Sequence, residues 1–112
     1  AMKLEITDPQ YEGKLLLMQK LSEVMDPELG LNIIDLGLVY DIEIDNESKV
    51  ISIIMTLSTP ACPAGGFIKG NVELVARESY PDFTIAITLT FEPRWSSAMV
   101  SEAGRQALGW QS

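Results

Sequence analysis

Apolar side chains recur at helical spacing near the start of the chain, between two prolines. Residues 9–24 are predicted to form a helix, because Pro9 suits a first helical position and Pro27 prevents the helix from continuing. Thr7 or Asp8 is expected to cap this helix at its N-terminus. The apolar residues on its predicted buried face are Leu17, Met18, Leu21, Val24 and Met25.

Three later segments alternate apolar and polar residues with a period of two, which is typical of strands buried on one face. These segments are residues 36–45, 50–58 and 84–92. The turn sequence DNESK separates the first two, which are therefore predicted to form an antiparallel hairpin. The residues predicted to face the core are Leu38, Tyr40, Ile42, Ile53, Met55, Ile87 and Leu89. The apolar residues predicted on the opposite face are Val39, Val50, Ile54 and Ala86, and this face is expected to hold a second copy in a homodimer.

Two more helices are predicted, over residues 63–79 and 98–108. Pro63 suits a first helical position, Ser97 can cap the last helix, and Gly109 can end it. The predicted order is α-β-β-α-β-α, and a right-handed crossover through the middle helix makes the last two strands parallel. The expected fold class is therefore α+β, with a small mixed three-stranded sheet and helices on one face. At 112 residues, the chain is expected to be one domain, residues 1–112.

Composition narrows the range of functions. Sixteen acidic residues against eight basic residues give a net charge of −8, which opposes binding to nucleic acid. No apolar run approaches the roughly 20 residues that span a bilayer, and the N-terminus resembles no secretion signal. A cytoplasmic location with no membrane partner is therefore expected, and Ala1 before Met2 is interpreted as a tag remnant. The absence of histidine excludes Cys-His and Ser-His catalysis.

The only cysteine of the chain, Cys62, follows the second predicted strand in the sequence STPACP. With Pro63 at the predicted start of a helix, the thiol would lie near free backbone N–H groups and the positive end of the helix dipole. Such a position favours the thiolate, which is the form that binds iron or accepts sulfur. The alternative is that Cys62 is a small buried residue that packs at the strand-helix corner. Placement alone leaves both interpretations open.

Acidic residues beside this loop allow two interpretations as well. Asp35, at the head of an apolar strand, could orient a ligand near Cys62 or could hydrogen-bond a local turn. Asp26 precedes a proline, and Asp-Pro typically initiates a turn. Glu92 in the sequence FEPRWS could border the same site or an interface, although the nearby Trp95 is expected to pack against its own domain.

Four sequence motifs in order resemble the PaaD/SufT-like metal-sulfur cluster biosynthesis family, formerly a domain of unknown function. The motifs are DPELGLNIIDLGLVYDIEID, MTLSTPACP, FEPRWS and SEAGRQALG, and the likeness extends from about Leu17 to Trp110. Family members usually have Thr-Thr-Pro-Gly-Cys-Pro at the cysteine, where this chain has Ser58 and Ala61 as departures. The resemblance implies an iron-sulfur cluster assembly domain fold, similar to the NifU C-terminal domain. The CxxC pair of NifU is replaced here by one cysteine, so scaffold chemistry of that type is not expected.

The resemblance implies an auxiliary factor in iron-sulfur cluster assembly or iron-sulfur protein maturation. Cys62 is expected to handle iron or sulfur, with Asp26, Glu28, Asp35, Thr59 and Glu92 as supporting residues. The implied cargo is a transiently held iron-sulfur cluster or iron, because one cysteine is too few ligands for stable storage. Its implied partners are the assembly machinery and client apo-proteins, and the role is that of an accessory or carrier rather than an enzyme.

Two alternatives remain from the sequence. One is a PaaD-like accessory module for a ring-oxygenating enzyme complex of phenylacetate breakdown. PaaD-type chains tend to carry a further cysteine-rich C-terminal segment, whereas this sequence ends at Ser112. The other is a cysteine-dependent enzyme, which would lack the histidine that commonly activates a thiol.

Overall fold

The computed structural model describes residues 4–61 and 63–110. Ala1, which was interpreted as a tag remnant, and Cys62 lie outside the described residues. The elements in chain order are α1 (Tyr11–Leu21), β1 (Met25–Asp26), β2 (Leu31–Asn32), α2 (Ile33–Leu36), β3 (Val39–Asp45), β4 (Val50–Met55), α3 (Gly65–Ser79), β5 (Thr84–Leu89), a 3-10 turn (Ser97–Met99) and α4 (Glu102–Leu108). Within the described ranges, no helix is long and apolar enough to cross a membrane.

A three-stranded sheet in the order β3-β4-β5 forms the centre of the fold. β3 and β4 pair antiparallel, and β4 and β5 pair parallel in an unbroken register from Val50↔Thr84 to Met55↔Leu89. α3 supplies the crossover that parallel strands require. The predicted fold class is therefore confirmed.

Helices α1 and α3 cover one face of this sheet. The period-two pattern is confirmed where the sheet is central, because Ile42, Ile53 and Met55 have no exposed surface. The strand at the sheet's edge is less covered: Ile87 is half-buried, and Leu89 is 37% exposed.

A bulge in β3 changes which of its first residues face the core, compared with the prediction. The register shifts between Val39 and Asp41, so that Tyr40 has no direct partner on β4. Val39 consequently turns into the core, where it is buried, instead of lying on the open face. With Val39 in the core, the apolar residues left on the open face are Val50, Ile54 and Ala86, beside polar residues such as Glu43 and Ser52 that were predicted there.

The sequence pattern missed a short ribbon and a short helix between α1 and β3. β1 and β2 pair antiparallel, and Met25, predicted on the buried face of α1, is 48% exposed because it belongs to this ribbon. α2 then occupies residues that were predicted to begin a strand. Asn32 caps it by accepting a hydrogen bond from Asp35, and Gly37 ends it with φ 78°.

The helices also begin later than predicted. Asp8 Oδ1 accepts a hydrogen bond from the N–H of Gln10, which turns the chain before α1. Ser97 begins only the 3-10 turn, whereas the side chain of Ser101 caps α4 by accepting from Gly104 N–H. Gly109 ends α4 in a left-handed conformation, as predicted.

We expect Gly37→Ala to be more destabilising than Gly30→Ala. Both glycines have positive φ, so each substitution should cost about 1–2 kcal/mol in backbone strain. An added Cβ at Gly37 would also overlap the carbonyl oxygen of Met99, whereas one at Gly30 would meet nothing within 4 Å. Urea unfolding should therefore show a further loss of about 1–3 kcal/mol for Gly37→Ala. Equal losses for the two variants would contradict the placement of α2 against the 3-10 turn.

Candidate functional site

Two loops that carry predicted site residues, the one after β4 and the one after β5, start at the same end of the sheet. Because β4 and β5 are parallel, their carboxyl ends lie together, beside the start of the antiparallel β3. Two hydrogen bonds fix this arrangement: Thr90 N–H donates to Met55 O at 2.9 Å, and Thr56 N–H donates to Leu38 O at 2.8 Å. In parallel sheets this end is the usual place for binding sites.

The loop between β4 and α3 can be described on both sides of Cys62, which itself lies outside the described residues. Before it, Thr59 Oγ1 accepts a hydrogen bond from Ala61 N–H at 3.2 Å, which turns the backbone. After it, α3 begins at Gly65 instead of at the predicted Pro63, with Ala64 as the N-cap. Alanine has no side-chain acceptor, so Ala64 does not cap the first N–H groups of α3 as a Ser, Thr, Asp or Asn would.

The start of α3 lies very close to the end of β4. A Cβ added at Gly65 would stand 2.8 Å from Leu57 Cδ1, a distance that would force one of them to move. Gly65 is buried, whereas the next residue, Gly66, is exposed with open space beside it. The residue before Ser58 and the residue after Ala64 are therefore packed against each other.

Asp35 is tied to structural partners by both of its carboxylate oxygens. Oδ2 accepts from Asn32 Nδ2 at 2.8 Å, and Oδ1 accepts from Ser101 Oγ at 2.9 Å. Its carbonyl oxygen also accepts from Ser101 N–H at 2.8 Å. Of the two interpretations that the sequence left open, the structure supports the hydrogen-bonding one and extends it, since Asp35 joins α2 to α4.

Asp26 combines a turn with a buried carboxylate. Its Oδ1 accepts from the N–H groups of Glu28 at 2.8 Å and Leu29 at 3.2 Å, as the Asp-Pro sequence indicated. The side chain is 0% exposed, however, and its Oδ2 has no hydrogen-bond partner among the described residues. A buried polar atom without a donor is costly and is rare in proteins, so it calls for an explanation beyond the turn. Glu28 itself is exposed.

A groove of about 410 Å³ lies between the residues around Met25 and one side of α3, from Phe67 in its first turn to Glu78 in its last. Met25, next to Asp26, and Phe67 both line it and are 48% and 62% exposed. The groove therefore places the segment that leads into the Asp26 ribbon along the length of α3. A larger hollow of about 750 Å³ lies at the β3-β4 turn, at the opposite end of the sheet, and none of the predicted site residues lines it.

The third loop is anchored through its aromatic neighbours. Trp95 Nε1 donates to Leu36 O at 2.7 Å, and the Tyr40 hydroxyl donates to Pro93 O at 2.7 Å. Burial raises the pKa of Tyr40, which keeps this donor protonated at neutral pH. Trp95 packs within its own domain, as predicted, while Glu92 is exposed.

The described residues hold no ready-made metal centre: within residues 4–61 and 63–110, no group of three or more His, Cys, Asp or Glu is placed to bind a metal ion. Sequence reasoning missed three members of the site's supporting network, Asn32, Tyr40 and Ser101. The Asn-x-x-Asp spacing of residues 32–35 is a capping signal that could have revealed the first of them.

Comparison with known proteins identifies the family of the chain. Residues 17–89 match the family model described as iron-sulfur cluster assembly protein. The chain is 36% identical over 94 residues to the Fe-S protein maturation auxiliary factor of Porphyromonas gingivalis, covering 84% of this chain and 89% of that protein. It is 37% identical over 86 residues to the Fe-S protein maturation auxiliary factor SufT of Staphylococcus aureus, covering 77% of this chain and 97% of that protein.

A solved structure agrees with these relatives. The domain of unknown function DUF59 from Bacillus anthracis superposes with a TM-score of 0.79 at 35% identity, over 87% of this chain and 92% of that one. The chain belongs to the iron-sulfur cluster assembly protein family. The predicted resemblance is confirmed, and these findings give no specific support to the PaaD-like alternative.

Proposed function

We propose that this chain is an auxiliary factor in the maturation of iron-sulfur proteins, acting through Cys62 and by docking partner proteins. The observation that carries this proposal is the similarity, over 84% of the chain, to a protein named as such a factor. The parallel pairing of β4 and β5 supports it, because the loop that contains Cys62 and the loop that contains Glu92 both start at the same end of the sheet.

The proposed chemistry is transfer of cargo rather than storage. A cysteine thiolate binds iron and accepts sulfur, but a cluster commonly takes several cysteine ligands and this chain has one. The remaining ligands would come from the assembly machinery, the client apo-protein or small thiols. The iron, sulfur or cluster is therefore cargo that passes through the site.

The supporting residues receive different proposed roles. Asp26 is the leading candidate for direct action, because its buried Oδ2 is not committed to any described donor. Thr59 shapes the entry to the cysteine loop through its bond to Ala61, and Glu28 and Glu92 are exposed carboxylates of the neighbouring loops. Asp35 is a positioning residue, since both of its oxygens are already bonded.

The remaining expectations fit this role. We propose that the chain works as a single domain in the cytoplasm, as an accessory or carrier rather than as an enzyme. Contacts of α4 with α2 and β2 support one domain, because they join the C-terminal helix to the main core. A lone cysteine, which cannot form an internal disulfide, is typical of proteins in a reducing compartment.

We expect Cys62→Ser to leave the melting temperature close to that of the parent while abolishing maturation. Serine is nearly isosteric but is a poor ligand for soft metals. The measurements are thermal unfolding and recovery of aconitase-type activity in a strain that depends on this factor. The matched control is Ser58→Thr in the same loop, which should retain activity. A Cys62→Ser variant that melts well below the parent, yet restores activity whenever it is folded, would show that the thiol only packs.

Asp26→Asn should, like Cys62→Ser, separate stability from function. The amide oxygen can still accept the two turn hydrogen bonds, so the free energy of unfolding should change little. Maturation activity should nevertheless fall. Full activity in a stable Asp26→Asn variant would refute a direct role for Asp26 and leave the proposal for Cys62 intact.

A further inference from the structure

The outer edge of β5 is an unprotected strand edge. β5 is the last strand in the order β3-β4-β5, and within residues 4–61 and 63–110 it pairs only with β4. Its sequence TIAITL contains no charge, no proline and no glycine, in a chain with a net charge of −8. Such an edge is a ready template for another strand unless a protein blocks it.

The opposite edge of the same sheet, β3, has features that block pairing with another strand. β3 carries three carboxylates, Asp41, Glu43 and Asp45, and it has a bulge near its start. Lys14 of α1 reaches Glu43 at 3.9 Å, so a charged helix side chain also lies beside this strand. Charges and bulges of this kind prevent edge-to-edge pairing. β5 has neither of them.

The backbone of β5 is directed for pairing on its free side. Thr84 N–H donates to Lys49 O, and Thr90 N–H donates to Met55 O, so the even-numbered residues point toward β4. Backbone groups alternate in direction along a strand, and those of Ile85, Ile87 and Leu89 therefore point away from the sheet.

The side chains at this edge are also incompletely covered. Ile85 and Ile87 are half-buried and Leu89 is 37% exposed, although their neighbours on β4 are fully buried. The helices thus cover the centre of the sheet and leave an apolar strip along β5. A strand added beside β5 would extend the sheet and provide neighbours for this strip.

We propose that the occupant is β5 of a second copy, paired antiparallel across a twofold axis that passes near Ile87. In this register Ile87 lies opposite its own counterpart, and Ile85 lies opposite Leu89 of the second copy. The outward-pointing residues then face one another and form hydrogen-bonded pairs. A second copy is favoured because β5 is self-complementary in this register: isoleucine and leucine side chains meet one another, and the strand carries no charge that would be repeated across the axis.

This pairing has a consequence for the candidate site. Antiparallel β5 strands place the carboxyl ends of the two copies at opposite ends of the joined sheet. The two loops that follow β4 would therefore handle cargo separately and would not share one cluster. The dimer itself stands on the geometry of β5 and does not depend on the proposed maturation role.

Charge substitutions on the open face of β5 test the register without disturbing the core. Ala86 and Thr88 are both exposed, and in the proposed register Ala86 lies opposite Thr88 of the second copy. The double variant Ala86→Lys with Thr88→Lys places lysines opposite lysines, which is destabilising. The matched double variant Ala86→Lys with Thr88→Glu places each lysine opposite a glutamate.

Sedimentation of the full chain over a range of concentrations gives the dissociation constant of each form. We expect the parent to be a dimer, the lysine-lysine variant to dissociate at least about tenfold more readily, and the lysine-glutamate variant to dimerise like the parent. Circular dichroism should show all three forms folded. A parent that stays monomeric at its highest soluble concentration would overturn the proposal. The proposal would also be overturned if the lysine-lysine variant dimerised like the parent, or if both double variants weakened the dimer equally. A monomer whose β5 edge pairs with a client segment would overturn it as well.

Discussion

The parallel pairing of β4 and β5 is the constraint on which the rest of the structure depends. Parallel neighbours cannot be joined by a tight turn, so the chain must leave β4, cross the sheet as α3 and return. The crossover can start only where β4 ends, and the contact of Gly65 with Leu57 shows how closely it does so. The cysteine loop is therefore a necessary product of the topology, and its position beside the carboxyl end of β5 follows from the same pairing.

A second set of interactions holds the neighbouring loops at this end of the sheet. Asp35 joins α2 to α4 through Ser101, and Trp95 joins the loop after β5 to Leu36. These bonds link segments distant in sequence, so their effect is to fix three loops relative to one another. Such rigidity would serve the proposed transfer of cargo, because a thiol and its supporting groups would have to meet the cargo in one geometry.

Regular periodicity made the main elements predictable from sequence. The β3-β4 hairpin and α3 each bury an apolar face, and β5 shows the same alternation with half-buried isoleucines, so the spacing of the apolar residues identified all of them. α2 could not be found in the same way, because four residues are too short to show a helical period and depend on the Asn32 cap. The bulge at Tyr40 was equally hidden, since the alternation of residues 36–45 continues through it in sequence while the backbone shifts phase.

The candidate site shows the same division between local and long-range information. The cysteine loop was predictable from placement and family resemblance, and the turn at Asp26 from its Asp-Pro sequence. The burial of Asp26 was not predictable from the sequence, because it results from packing of the β1-β2 ribbon against the rest of the fold. The hydrogen bond from Ser101 to Asp35 joins residues 66 positions apart, and no local sequence pattern predicts it.

The central claim is that the β4-α3 loop presents a reactive thiolate at the end of the sheet. Since the chain has one cysteine, its alkylation by iodoacetamide at neutral pH reports on that residue alone. The rate should be measured in the native protein and in the urea-unfolded chain. If Cys62 has the proposed reactivity, we expect the native protein to react faster, by roughly tenfold, because a thiolate is the nucleophile. A native thiol that reacts more slowly than the unfolded one, and only as urea opens the structure, would contradict the claim.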